Sequence, residues 1–156
     1  FLVFDSGKNT KVKPISEYDL SRFILSTVLK QETYSKILPI GGPGPALSPI
    51  EQGSLIFKAA KKPKKFLSIP SSLFRVLIFL SSPLGVFSER IRDFREFLKI
   101  ALFYATESML VWDEKEGRYM DSDTPEFGKD TLEEYYLKVF EKEHMAIERS
   151  DKRLFR

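Results

Sequence analysis

A glycine- and proline-rich turn is the stretch of this sequence whose residue types and spacing could form a site. Gly41, Gly42 and Gly44 are interspersed with two prolines in the run 41–45, directly after the apolar segment 37–40. Glycine allows a ligand or another backbone to approach closely, but glycine and proline are also the ordinary residues of tight turns. The turn therefore indicates either the edge of a ligand crevice or a plain loop.

The elements on either side of this turn are predicted to place it at the end of a strand. Residues 37–40 are typical of a short buried strand, and Ser48, Pro49 and Glu51 have the spacing of a capping box with proline at the first helical position. In α/β proteins the carboxyl ends of the strands face the ligand crevice. We therefore expect the turn to lie beside such a crevice.

Other chemistry is limited by what the 156 residues contain. There are no cysteines and one histidine, which excludes disulfides, cysteine-ligated clusters and a multi-histidine metal centre within the chain. A dinucleotide-type glycine fingerprint, a phosphate-binding loop, a serine elbow, a zinc-binding HExxH pair and a Tyr-x-x-x-Lys pair are all missing from the sequence. Glu107 and the terminal His144 are weak candidates, and we assign no catalytic residue and no metal ligand. A net charge of +3 gives no argument for a nucleic-acid partner.

The order of elements predicts an α/β protein of one domain. A strand, a helix capped by Ser16 and the strand at 37–40 suggest a βαβ unit with a parallel sheet. The helix beginning at Ser88 has an apolar stripe typical of a core-facing helix. The further elements are a helix after residue 48, a strand at 65–69, an apolar helix at 73–80, a strand at 109–112 and a last helix capped near residue 131.

The apolar helix at 73–80 is too short to cross a bilayer, which takes about 20 apolar residues. It is expected to be buried or to line a pocket, with a position on a membrane surface as the alternative. The 14 phenylalanines favour an aromatic core or a flat apolar pocket. Because the chain begins at Phe1 without an initiating methionine, we expect it to be a fragment or a processed chain.

Four blocks of sequence resemble one enzyme family. They are KPISE at 13–17 with DL at 19–20, LPIGGPG at 38–44 with ALSP at 46–49 and EQG at 51–53, ESMLV at 107–111, and the segment 124–134, which contains FGKDTLEE. The blocks are similar to those of the plant and algal divinyl (proto)chlorophyllide 8-vinyl reductases and occur in the same order. The first two are shared with other atypical short-chain dehydrogenases, whereas the last two are more specific. The apolar segment 100–103 and the glycine-free tail 146–156 depart from the plant members.

The resemblance implies a Rossmann-like sheet with a small α+β substrate subdomain. It implies NADPH-dependent reduction of the 8-vinyl group of a magnesium tetrapyrrole to an ethyl group, during chlorophyll synthesis in a plastid. It also implies that this chain is the C-terminal portion, with the glycine-rich cofactor loop in a missing N-terminal half, and that the portion alone is inactive. The expected division is 1–62 for the sheet, 63–144 for the substrate-binding subdomain and 145–156 for a charged tail.

The resemblance implies site residues that contact the substrate, and it identifies no catalytic residue in this chain. The glycine turn and the end of the extended run at 12–15 would line the crevice, and aromatic side chains of the segment 66–103 would form an apolar wall for the ring. The expected substrate-binding residues are Pro14, Ile15, Gly41, Gly42, Phe74, Phe103 and Tyr104, with Phe79 as a further member of the wall.

Two alternatives remain open at the level of sequence. One is another atypical dehydrogenase, such as an isoflavone-reductase-like enzyme, that acts on a smaller aromatic and needs a narrower cleft. The other is a non-catalytic Rossmann-like subunit of the kind found in respiratory complex I. In the favoured interpretation the partners are the magnesium tetrapyrrole and the missing half of the chain, with peripheral contact to a membrane surface left open.

Overall fold

The computed structural model describes residues 1–84 and 88–142 as a mixture of helices and short strands. The predicted α/β class is confirmed at this level. The predicted tail 145–156 and His144 lie outside the described residues. The elements are β1 (Leu2–Phe4), α1 (Glu17–Val28), a 3₁₀ turn (Gln31–Thr33), α2 (Pro49–Ala59), β2 (Leu67–Ile69), α3 (Ser72–Leu84), α4 (Glu89–Thr106), β3 (Val111–Asp113), β4 (Arg118–Met120) and α5 (132–142).

The strands form two small sheets. β1 pairs with β2 in parallel, with Leu2 opposite Leu67 and Phe4 opposite Ile69, and both α1 and α2 lie in the connection between them. β3 and β4 form an antiparallel hairpin around a turn at 114–117. The strand predicted at 65–69 is therefore confirmed, whereas β4 is an element that the sequence analysis missed.

Local capping signals position three of the helices as predicted. The Ser16 hydroxyl oxygen accepts a hydrogen bond from the amide of Asp19 at 3.0 Å and caps α1. At the start of α2, Oε2 of Glu51 accepts the amide of Ser48 at 2.8 Å and the hydroxyl of Ser48 at 2.6 Å. The hydroxyl oxygen of Thr131 accepts the amide three residues later at 3.3 Å, at the start of α5. These contacts satisfy amides that have no partner within the helix.

The strand predicted at 37–40 is wrong. These residues belong to no helix or strand, and Ile37 is 96% exposed. Pro39 has no amide hydrogen to donate, and the neighbouring contact is a single bridge between Gly41 and Glu126. Since Val12 also forms only isolated bridges, with Leu47 and Met109, the βαβ unit expected within 12–40 is not present.

Part of the apolar surface of the helices remains exposed in this chain. α3 packs against α4, and Leu98 of α4 is buried as expected. Phe94 and Phe97 of the same predicted stripe are 51% and 62% exposed, and Ile24 of α1 is 54% exposed. The expectation of a core-facing stripe on the helix beginning at Ser88 is therefore wrong for Phe94 and Phe97. Among the described helices, none has the length and apolarity required to cross a membrane.

Candidate functional site

The glycine turn is held between two other segments of backbone. The amide of Gly42 donates to the carbonyl oxygen of Lys13 at 3.2 Å, and the amide of Gly41 donates to that of Pro125 at 2.8 Å. The carbonyl oxygen of Gly41 accepts the amide of Phe127 at 3.0 Å. The structure thus brings the first, second and fourth family-like blocks together at one junction.

Both glycines at this junction are required by close packing. A β-carbon on Gly41 would lie 2.4 Å from Cβ of Lys13, and one on Gly42 would lie 1.8 Å from the carbonyl oxygen of Pro14. Both glycines are buried, and their amide hydrogens are already donated within the chain. A pyrophosphate cradle needs accessible amides and open space above the glycines. The turn therefore does not fit the pyrophosphate of a dinucleotide cofactor.

Lys13 is the buried cation of this junction. Its side chain is 4% exposed, and Nζ lies 2.8 Å from Oδ1 of Asp121 and 2.9 Å from Oε1 of Glu126. Nζ also donates to the carbonyl oxygens of Asp121 at 3.2 Å and Thr124 at 3.3 Å. Burial alone lowers the pKa of Lys13, but the hydrogen bonds and charges of Asp121 and Glu126 outweigh it and raise the pKa above its ordinary value. Lys13 therefore stays protonated and acts as a fixed cation.

The same two carboxylates hold the backbone of the glycine turn. Oδ2 of Asp121 accepts the amide of Ala46 at 2.9 Å, and Oε2 of Glu126 accepts the amide of Gly44 at 3.2 Å. The hydrogen bonds from Lys13 first, and from these amides second, hold the pKa of each carboxyl below its ordinary value. Lys13, Asp121 and Glu126, termed here the Lys13 cluster, thus fix the turn against the loop that follows β4.

A buried carboxylate, that of Asp19, fixes the start of α5. Asp19 is 1% exposed, and its Oδ2 accepts the amides of Lys129 at 2.8 Å and Asp130 at 2.9 Å. These two hydrogen bonds lower the pKa of Asp19. Gly128 has φ +97° and leaves no space for a side chain, since its β-carbon would lie 2.1 Å from Cγ of Asp19. Ser16 completes the contact by donating to Oδ2 of Asp130 at 2.8 Å.

Pro14 and Ile15 line a cavity of about 500 Å³ between the start of α1 and the start of α5. Tyr18 and Tyr135 also line this cavity. Two carboxylates lie in the lining, with no lysine or arginine among the described residues that form it, so we term it the acidic cavity. The remaining lining residues are Ser16, Glu17, Asp130, Thr131 and Leu132.

The predicted aromatic wall is divided among different neighbours. Phe74 of α3 packs edge-on against Phe4 of β1, with ring centroids 5.2 Å apart. Phe103 and Tyr104 of α4 pack against each other at 5.8 Å and are 57% and 58% exposed. Phe79, which is 76% exposed, lies in a second cavity of about 430 Å³ between α3 and α4. This second cavity is termed here the seam cavity.

Glu107, a weak candidate from its position between a helix and a strand, has a defined partner. The hydroxyl of Tyr119 donates to Oε2 of Glu107 at 2.8 Å and so joins the end of α4 to β4. This hydrogen bond, together with burial, raises the pKa of Tyr119. The contact ties two elements together, and no group of three metal-binding side chains occurs in the parts of the chain that the structure describes.

Sequence reasoning missed the Lys13 cluster and Asp19. Lys13 lies 108 residues from Asp121, and Asp19 lies 110 residues from Lys129. The available signal was indirect: Lys13 and Asp19 belong to the first of the blocks that carry the family resemblance. Asp121 and Glu126 lie before or within the segment 124–134, which is the fourth block. Such long-range pairs become visible only once the fold brings the blocks together.

Comparison with curated proteins finds relatives that are reductases of chloroplasts. More particularly, these relatives are the proteins named divinyl chlorophyllide a 8-vinyl-reductase, chloroplastic. The chain is 41% identical to the one from Zea mays over 146 residues, which is 94% of this chain and 36% of the maize protein. The corresponding values are 41%, 94% and 35% for Arabidopsis thaliana, and 40%, 94% and 36% for Oryza sativa subsp. indica.

The family resemblance expected from the four blocks is therefore confirmed over nearly the whole chain. The chain spans about a third of the length of the curated relatives that it matches. No protein-family model matches the chain, and no solved structure matches it significantly.

Proposed function

We propose that this chain forms part of a chloroplast enzyme that reduces the 8-vinyl group of divinyl chlorophyllide or protochlorophyllide to an ethyl group during chlorophyll synthesis. The observation that carries the proposal is 41% identity over 94% of the chain to the maize protein of that name. Similarity over 146 residues reaches well beyond the glycine turn, because it takes in most of the elements of the chain.

The proposed fold of the intact enzyme is a Rossmann-like sheet, to which this chain contributes C-terminal elements. The parallel pairing of β1 with β2, with helices in the connection, is compatible with this fold. We propose NADPH as the cofactor, which when bound supplies the hydride for the vinyl group. Since the packed glycine turn does not fit a pyrophosphate, the proposal places the nucleotide on residues outside this chain.

The residues of this chain would bind the macrocycle, orient it and exclude water from it. Pro14 and Ile15 are proposed to line the crevice through the acidic cavity. Gly41 and Gly42 would shape it indirectly, because their packing fixes the backbone of Lys13 and Pro14. Phe74, Phe103 and Tyr104 are also proposed to contact the macrocycle. Of the two aromatic side chains in α3, that of Phe79 is the more exposed.

The test uses the intact protein with NADPH and purified divinyl chlorophyllide a, followed by chromatographic separation of the pigments. The expected product is the monovinyl pigment with an 8-ethyl group, formed only when NADPH is present. Divinyl protochlorophyllide in a parallel reaction compares the two pigments. If the folded protein leaves both pigments unreduced, the proposal fails.

A further inference from the structure

The seam cavity is built from one face of each of two adjacent helices. Arg75, Ile78, Phe79 and Ser82 follow the i, i+3, i+4, i+7 spacing of a single face of α3. On α4, the residues 95, 99 and 102 follow the i, i+4, i+7 spacing. The two helices pack against each other, and the seam cavity lies between these two faces.

The lining of the seam cavity combines apolar walls with positive charge. Ile78, Phe79 and Leu102 supply the apolar surface. The charged members are Arg75, Arg95 and Lys99, and no carboxylate is present among the described residues of the lining.

Glu96, which lies beside this lining, offsets part of the positive charge. Its Oε1 is 3.1 Å from a guanidinium nitrogen of Arg95 and 3.0 Å from Nζ of Lys99, and its side chain is 49% exposed. Asp5, which lies outside the lining, also offsets charge, because it attracts Arg75. Three cations against these two carboxylates leave a net positive charge, which favours an anionic ligand with an apolar body.

From this geometry we infer that the seam cavity binds the carboxylate-bearing edge of the tetrapyrrole substrate. The inference rests on the proposed function and names the part of the molecule that is recognised. A chlorophyllide carries a free propionate carboxylate, which is esterified in a chlorophyll. Arg75 and Lys99 would bind this carboxylate, while the ring edge packs on Phe79. A cavity of about 430 Å³ holds one edge of the macrocycle and leaves the rest outside.

The charge of the two cavities decides between them. The acidic cavity presents Glu17 and Asp130, so it would repel a carboxylate. The seam cavity presents cations toward the same group. The propionate-bearing edge of the ring is therefore assigned to the seam cavity between α3 and α4. Pro14 and Ile15 would contact another part of the ring.

The experiment measures binding of monovinyl chlorophyllide a to the intact protein without NADPH, by quenching of pigment fluorescence. The free acid is compared with its methyl ester, which has the same ring but no charge. Wild-type protein is expected to bind the free acid about tenfold more tightly. The double variant R75Q/K99Q is expected to bind acid and ester equally, and R75K/K99R to restore most of the preference.

Arg90→Gln is the matched control, since it removes an exposed cation of α4 that is outside the cavity lining. It should retain the wild-type ratio of acid to ester. An unchanged ratio in R75Q/K99Q overturns the inference. If that variant does not fold, the wild-type comparison decides, because absence of any preference for the acid also overturns it.

Two further outcomes are informative. The first tells a pigment site from a lipid contact, and the second tells failure of the inference from failure of the proposed function. Loss of binding to phosphatidylglycerol vesicles in R75Q/K99Q, with the acid-to-ester ratio unchanged, would make the seam a lipid contact and overturn the inference. Wild-type protein that prefers the acid but reduces no divinyl pigment would refute the proposed function while the binding site stands.

Discussion

Gly42 lies directly against the backbone of Pro14, and a β-carbon on Gly42 would be 1.8 Å from the carbonyl oxygen of Pro14. The obstacle is backbone, which cannot rotate away as a side chain would. The same glycine donates its amide to the carbonyl oxygen of Lys13 at 3.2 Å. Close packing against backbone therefore accounts for the glycine at position 42.

Gly42→Ala is expected to lower the free energy of unfolding of the intact protein by about 3 kcal/mol, because the added methyl group forces the two segments apart. Urea unfolding measures the change. Gly117→Asn is the control, since Gly117 has φ +61° in open space and asparagine tolerates that backbone conformation. A G42A variant as stable as G117N would show that the junction adjusts without strain.

Lys13→Met is expected to destabilise the intact protein by about 1–3 kcal/mol, since it leaves Asp121 and Glu126 without their cation. The midpoint of thermal unfolding should fall by several degrees. Lys58→Gln provides the comparison, because the pair of Lys58 with Glu133 is 69% and 40% exposed and should contribute about 0.5 kcal/mol or less. Equal losses in the two variants would mean that the Lys13 cluster contributes no more than a surface pair.

Local features of this protein could be predicted from the sequence because the interacting residues are near neighbours. Ser16 and Thr131 cap helices through amides three residues away, and Glu51 accepts the amide of Ser48 three residues before it. The apolar run at 65–69 is a strand because β1 is available to pair with it. The run at 37–40 has a similar composition and no pairing strand, so composition alone gave the wrong structure there.

The candidate site depends on contacts that no local pattern specifies. The sequence marked Pro14, Ile15, Gly41 and Gly42 as one region, and the structure does bring their segments together. It gave no reason to pair Lys13 with residues more than 100 positions away, or to place Arg75 and Lys99 in one cavity. Those pairs follow from the packing of separate elements, in which tertiary context decides the environment of each charge.

The stability of the intact protein is expected to decrease as the pH falls below about 4. Asp19, Asp121 and Glu51 all have pKa values below their ordinary values in the folded chain. A group with a lowered folded pKa contributes stability that is complete above its unfolded pKa and lost as the pH falls through the folded pKa. Thermal unfolding midpoints measured from about pH 7 down to about pH 2.5 should therefore be level at first and then fall.

Asp19→Asn should weaken this acid dependence, because it removes a buried carboxylate whose charge is stabilised by the amides of Lys129 and Asp130. The variant should be less stable than wild type at about pH 7 and closer to it at about pH 2.5. Glu114→Gln, which removes an exposed carboxylate in the turn between β3 and β4, should keep the wild-type profile. A D19N profile parallel to that of wild type would rule out Asp19 as a source of the pH dependence.

Phe74 and Phe79 lie little more than one helical turn apart in α3, and the structure gives them different roles. Phe74 is half-buried against Phe4, so Phe74→Ala should cost about 1–3 kcal/mol of stability in the intact protein. Phe79 is 76% exposed in the seam cavity, so Phe79→Ala should leave the unfolding midpoint almost unchanged and raise KM for divinyl chlorophyllide several-fold. Each variant is the control for the other, and thermal unfolding with steady-state kinetics separates the two effects. If F79A changed stability but not KM, its ring would be a packing contact of the helical pair, and the apolar wall for the pigment would have to be sought among Phe103 and Tyr104.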